Sequence, residues 1–353
     1  MTPKQRAEMM TDDNRILVVV DPTASNEQVC VERGAWLAKS LDLGLELLIC
    51  HYEHILLGAR SIDSPFVQRV QQDVISQRRE MLEDIARPLR EQGLSVVVSA
   101  VWDTPLDEAI VRHVLRTSPR LLVKDTHYHH KIRQAIFSNT DWNLVRRCPV
   151  PLWLAKPHRW ADPRRIIASV DPVNENDIHA KLDGIILDEA ALLAEKLSCE
   201  LHAFHAYLPI SKYPFSSLDS GEIPIDEIDR KIEQDHRMRL DNLLNNYTVS
   251  KERTHMLPGY PKQLLPELAT EIDAGLVVIG AIARNALKRV FIGSTTEQVL
   301  DKLPCDLLVV KPAWFANSVK ATSPEAYEGT REELPSPSDL KADNVKGPVE
   351  KAM

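Results

Sequence analysis

The sequence is short of aromatic residues, which make up 5% of its 353 positions. So little aromatic surface argues against a base-stacking platform for single-stranded nucleic acid. It also lacks an excess of positive charge: the formal net charge is −8 and the pI is near 5.9. A general polyanion binder needs the opposite sign. Cysteine is sparse and unpaired in pattern: Cys30, Cys50, Cys148, Cys199 and Cys305, with no C-x-x-C. Such a set reads as reduced thiols, not as a disulfide framework. No run approaches the ~18 apolar residues that a membrane helix needs. Residues 1–15, MTPKQRAEMMTDDNR, offer no apolar core for a signal peptide. The expected location is therefore cytoplasmic, without membrane insertion and without nucleic acid as a partner. The sequence also has no Walker-type Gly-Lys-Ser/Thr loop, no metalloprotease motif and no Ser-His-Asp order. No catalytic residue is expected, and slow ATP hydrolysis would be incidental.

What is present centres on residues 276–311, LVVIGAIARNALKRVFIGSTTEQVLDKLPCDLLVVK. Leu276 to Ile279 is an apolar run of buried-strand type, and Gly280 ends it. A basic stretch leads to Gly293-Ser294-Thr295-Thr296. From Glu297 the apolar spacing turns helical, through Val299, Leu300 and Leu303, until Pro304. Leu307 to Val310 is a further strand. A helix N-terminus leaves backbone N–H groups unpaired and carries partial positive charge. Gly293 permits close approach of an anion, and the hydroxyls of Ser294, Thr295 and Thr296 add donors. The pattern suits phosphate, although Ser294 or Thr295 capping the helix is the simpler reading.

The rest of the chain is a duplication. Ile16 to Val20 followed by Asp21-Pro22 returns as Ile166 to Val170 followed by Asp171-Pro172. Leu152-Trp-Leu-Ala-Lys-Pro157 returns as Leu307-Leu-Val-Val-Lys-Pro312, and Asp103-Thr104-Pro105 as Gly259-Tyr260-Pro261. A repeat about 150 residues long is a duplicated domain, not a solenoid unit. Each copy alternates strands with helices, which predicts a parallel sheet covered on both faces. In such sheets ligands bind at the carboxyl ends of the strands, where strand order reverses. Asp21 and Asp171 end the first strand of each copy and should stand there. Asp171 reads equally as a contact for ribose or adenine and as an ordinary Asp-Pro turn residue.

The spacing Gly280, two residues, Ala283, nine residues, Gly293-Ser294 resembles the nucleotide loop of the universal stress proteins, in which Ala283 would be a third glycine. Residues 16–312 as a whole resemble a tandem member of that family. The resemblance implies two adenine-nucleotide alpha-hydrolase-like domains, 16–157 and 164–312, each a five-stranded parallel sheet flanked by helices. Residues 1–15 and 316–353 fall outside as a disordered lead-in and tail. It implies an ATP or AMP site, with or without Mg²⁺, at Asp171, Ala206, Gly280, Ala283, Gly293, Ser294 and Thr295. It further implies a stress-response role and pairing through the last strands, near Leu152 and Leu307. That pairing would make an internal pseudo-dimer, open to further homodimerisation.

With Pro149 set on Pro304, Gly280 falls on Asp125, Ala283 on Tyr128 and Gly293-Ser294 on Ser138-Asn139. A carboxylate and bulky side chains replace the glycines, so the first domain should not bind ATP. Its loop holds His127, His129 and His130, a tract that raises metal binding, but no acidic or cysteine partner sits at zinc spacing, and no metal site is expected. His205 is read as a core histidine bonded to backbone, its register against Cys50-His51 open by two residues. Residues 209–224 read as a connection or as a lid. The alternatives to a nucleotide sensor are a binder of another small or lipid-like ligand, and a protein-interaction scaffold.

Overall fold

A computed structural model describes residues 15–24, 28–52, 65–129, 134–136, 138–173, 177–212, 224–281, 302–312, 315, 319 and 327–328. The first half runs β1 (Arg15–Val19), α1 (Val29–Leu41), β2 (Gly44–His51), α2 (Pro65–Glu91), β3 (Val96–Trp102), α3 (Leu106–Thr117) and β4 (Leu121–Asp125). A hairpin, β5 (His127–His129) with β6 (Gln134–Ile136), then leads to α4 (Asn139–Arg147) and β7 (Leu152–Ala155). The second half runs β8 (Arg165–Ser169), α5 (Asp177–Lys196), β9 (Glu200–Tyr207), α6 (Ile225–Leu244), β10 (Thr254–Pro258), α7 (Pro261–Glu271), β11 (Leu276–Gly280) and β12 (Asp306–Val310).

Ten of these strands form one sheet in the order β10-β9-β8-β11-β12-β7-β4-β1-β2-β3. Among these ten strands the pairings within each half are all parallel. The one antiparallel pairing between the halves is β12 on β7, with Leu307 opposite Leu154 and Val309 opposite Leu152. In the C-terminal stretch expected to lie outside the fold, Tyr327–Glu328 forms a two-residue strand, β13, antiparallel to β3. A sheet edge offers unpaired N–H and C=O groups to any extended segment, whatever its composition.

Both faces of the sheet are buried, which explains the near-continuous apolar strands. Ile16, Val18, Ile166, Ala168 and Val278 face α1, α2, α5 and α6; Leu17, Val19, Ile167, Phe204 and Val277 face the α3, α4 and α7 side.

The junction between halves is polar as well as apolar. Buried Asp306 accepts from Trp153 Nε1 (3.0 Å), the Lys156 backbone N–H (2.8 Å) and Trp160 Nε1 (3.3 Å), and pairs with Arg33 Nε at 2.7 Å. The connecting segment is thereby pinned, and the Trp160 ring lies where a Cβ on Gly275 would stand. Two buried lysines cross over. Lys156 Nζ donates to Leu303 O of the second half at 2.6 Å, and Lys311 Nζ donates to Cys148 O at the end of α4 in the first. Carbonyls at helix C-termini lack intrahelical donors and favour a cation.

Candidate functional site

In the second half β8 is followed on one side by β9 and on the other by β11, so strand order reverses between β8 and β11. Two of the sequence-predicted residues flank that point: Asp171 stands two residues past the end of β8, and Gly280 ends β11. Asp171 is exposed. Its backbone N–H donates to Asp183 Oδ1 of α5 at 3.0 Å. Gly280 has a packing reason to be glycine: an added Cβ would stand 2.3 Å from Leu182 Cδ2 and 2.6 Å from its Cγ. A side chain at that position would force Leu182 of the helix to shift. Ala206 is half-buried but lies on the other face, paired with Leu257 of β10. Ala283, Gly293, Ser294 and Thr295 lie outside the described residues.

The strand registers settle the position of His205. Ile16 pairs with Leu45, and its counterpart Ile166 pairs with Leu201. Ile49 is thus the counterpart of His205, and His51 that of Tyr207. His205 is buried, with Nδ1 3.1 Å from Val170 O, as read from the sequence. Its Nε2 lies 2.7 Å from His236 Nδ1 of α6, a partner that sequence spacing could not supply. Burial depresses the pKa of both rings, and Asp171 works against that shift in each. Burial also raises Asp183 to about 7.

The first half fills the matching places with its own groups. Asp125, in the Gly280 position, accepts from the Cys30 backbone N–H of the first turn of α1 at 2.7 Å. Ser138, in the Gly293 position, caps α4, accepting from the Asp141 N–H at 3.2 Å. Asp141 Oδ2 in turn accepts from the Ser138 N–H at 2.8 Å. This capping box satisfies the helix-end donors that an anion would otherwise use. Asp141 is fully buried, and Lys124 Nζ neutralises it at 2.8 Å. Asp21 closes its own turn, its Oδ1 accepting from the Thr23 N–H at 2.8 Å. The backbone of residues 127–129 belongs to a hairpin, and His130 lies outside the described residues. Among the described residues no cluster of three His, Cys, Asp or Glu is placed to hold a metal ion.

The chain belongs to the Universal stress protein family, which it matches over residues 14–156 and again over 182–311. It is 29% identical over 311 residues to universal stress protein E of Salmonella typhi, covering 86% of this chain and 96% of that one. The Escherichia coli K12 protein of the same name is 28% identical over 316 residues, covering 88% and 98%. A solved structure from Pseudomonas aeruginosa PAO1, described as functionally unknown, superposes with a TM-score of 0.67 at 27% identity, covering 85% of this chain and 93% of that one. The two tandem domains and their parallel α/β sheets are thus those of this family. Among the described residues no helix is long and apolar enough to cross a membrane.

Proposed function

We propose that the chain is a stress-response protein that binds ATP or AMP in its second half and acts as a sensor or regulator, not as a dedicated catalyst. The observation that carries this reading is the asymmetry of the two crevices. In the first, the donors at two helix N-termini are taken by Asp125 and Asp141. In the second, the aligned positions are Gly280 and Thr296, which bring no carboxylate. The first arrangement has already used these helix-end donors, and the second has no carboxylate at these positions to use them. Gly293, Ser294, Thr295 and Ala283 would hold the phosphates, with Mg²⁺ as their counter-ion, and Asp171 and Ala206 would lie toward the nucleoside.

The reading treats 16–157 and 164–312 as the two domains. The pairing of β7 with β12 then serves as an internal dimer contact, and any pairing of whole chains would use another surface. A cytoplasmic location completes the proposal. Calorimetric titration with ATP and Mg²⁺, beside Gly293→Asp, tests it. Saturable binding that the substitution abolishes is the expected result; no binding up to millimolar ATP would overturn the reading.

A second reading, a ligand other than a nucleotide, draws on Gly280. Its glycine is accounted for by Leu182 alone, without an anion. Mass analysis of whatever the denatured protein releases separates the two.

A further inference from the structure

We infer that the second-half crevice contains a subsite, built from Asp183 and His236, that takes the hydroxyl groups of a ligand. The sugar edge of a nucleoside is the matching class. The inference rests on the nucleotide reading above and adds to it two residues and an orientation.

Two chains of hydrogen bonds meet at consecutive residues at the end of β8. The first begins at Val170 O. A carbonyl only accepts, so His205 Nδ1, 3.1 Å away, carries the hydrogen. In the neutral ring Nε2 then holds a lone pair and accepts from His236 Nδ1 at 2.7 Å. His236 is left with an unprotonated Nε2, the hydrogens being assigned from this order of donors and acceptors. The half-buried imidazole is oriented by its neighbour as a hydrogen-bond acceptor. The second chain begins at the Asp171 N–H, which donates to Asp183 Oδ1 at 3.0 Å. Asp183 is 4% exposed, and its Oδ2 is buried without a hydrogen-bond partner. Buried polar groups in native proteins are nearly always paired, so such an oxygen marks a place where something else supplies the partner.

The chemistry of that partner follows from the acid. With Asp183 near 7, its carboxyl exists with and without a proton around neutral pH. A hydroxyl satisfies both states, donating to the carboxylate and accepting from the acid. An ammonium or amide N–H satisfies only the first. A phosphate meets Asp171 and Asp183 with like charge and is directed away from them, toward Gly280 and beyond.

The first half lacks the feature. There Gln28 Oε1 accepts from the Asp21 N–H at 2.7 Å, and Gln28 Nε2 donates back to Asp21 O at 2.7 Å, so both polar ends of the amide are used. Ile49 stands in the place of His205.

The test is calorimetry on the full chain with Mg²⁺ and three ligands: ATP, 2′,3′-dideoxy-ATP and inorganic tripolyphosphate. ATP should bind about tenfold more tightly than the dideoxy compound, the scale of one or two hydrogen bonds. His236→Phe and Asp183→Leu, which can neither donate nor accept, should each weaken ATP about tenfold, erase its advantage over dideoxy-ATP, and leave tripolyphosphate unchanged. Should Asp183→Leu fail to fold, His236→Phe and the ligand series decide. Equal affinity of the wild type for ATP and dideoxy-ATP overturns the subsite and leaves the nucleotide reading standing. So does equal weakening of ATP and tripolyphosphate in the variants. A wild type that binds neither ATP nor tripolyphosphate overturns both.

Discussion

Replacing Asp306 by Ala should be among the most damaging single changes available in this protein. The side chain is fully buried. It pairs with Arg33 at 2.7 Å, has His158 Nδ1 at 3.5 Å, and accepts from the two indole N–H groups of Trp153 and Trp160 and from the Lys156 backbone. Removing one partner of a buried pair leaves the other charge uncompensated, at a cost of about 3–5 kcal/mol. Each orphaned buried N–H adds about 1–3 kcal/mol before relaxation, and these terms overlap rather than sum. A loss of about 4–6 kcal/mol is expected from these two sources together. The readout is denaturant unfolding followed by both far-UV circular dichroism and tryptophan fluorescence. Three tryptophans, Trp36, Trp153 and Trp160, stand at the junction, with ring centroids 5.0 and 6.0 Å apart. Fluorescence should therefore lose its junction signal at lower denaturant than the wild type. Pairing Asp306→Leu with Arg33→Met should recover part of the loss, because no buried charge is then left alone. A loss below about 1 kcal/mol for Asp306→Ala, the range of ordinary surface changes, would refute the assignment of Asp306 as the junction's central acceptor.

Other predictions bear on the crevices and on pH. Gly280→Ala should cost about 1–3 kcal/mol by overpacking, and a companion Leu182→Ala should return part of it in thermal melts. Persistence of the full cost would mean that Leu182 is not the obstacle. In the first half, Lys124→Ile or Asp141→Thr alone strands a buried charge and should cost about 3–5 kcal/mol, while the double change, which installs the second half's residues, should cost far less; equal losses for single and double variants would refute the pair's coupling. Lys311 is buried, and burial lowers it from 10.5 to about 8. Its charge is therefore a penalty in the folded state below pH 8, and stability should rise as pH increases from about 8 to 10.5, by up to about 3 kcal/mol. Lys311→Met should remove that rise relative to the wild type, and an unchanged pH slope would count against a buried, depressed amine.

Several features were legible because they are local or repetitive. The strands around Ile16, Ile166, Leu276 and Leu307 announce themselves as short apolar runs between turn residues. The repeated Val-Asp-Pro and Lys-Pro ends mark the duplication. The pairing of β5 with β6 and the helix α4 were not legible, because a histidine tract and a single polar turn hide a three-residue strand and a nine-residue helix. Ala206 neighbours His205 in the chain, yet alternation along β9 turns the two to opposite faces of the sheet. His236 was missed altogether, since it sits on a charged helix, and nothing in its own neighbourhood marks the residue facing it.

By itself the sequence determined the duplication, the alternating strand–helix order, the family, and the loss of glycines in the first loop. These are properties of period, composition and spacing, which a chain carries along its length. The tertiary structure alone decided that Asp306 gathers donors from Trp153, Lys156 and Trp160, some 150 residues away. It alone decided that Lys156 and Lys311 reach into each other's half, that Asp125 caps the first turn of α1 while Lys124 pairs with Asp141, and that Asp183 and His205 bond to neighbouring residues at the end of β8. Such contacts arise where strands distant in sequence become neighbours in the sheet. A buried charge is stable only if the partner brought there by the fold neutralises it, and that partner leaves no mark beside it in the chain.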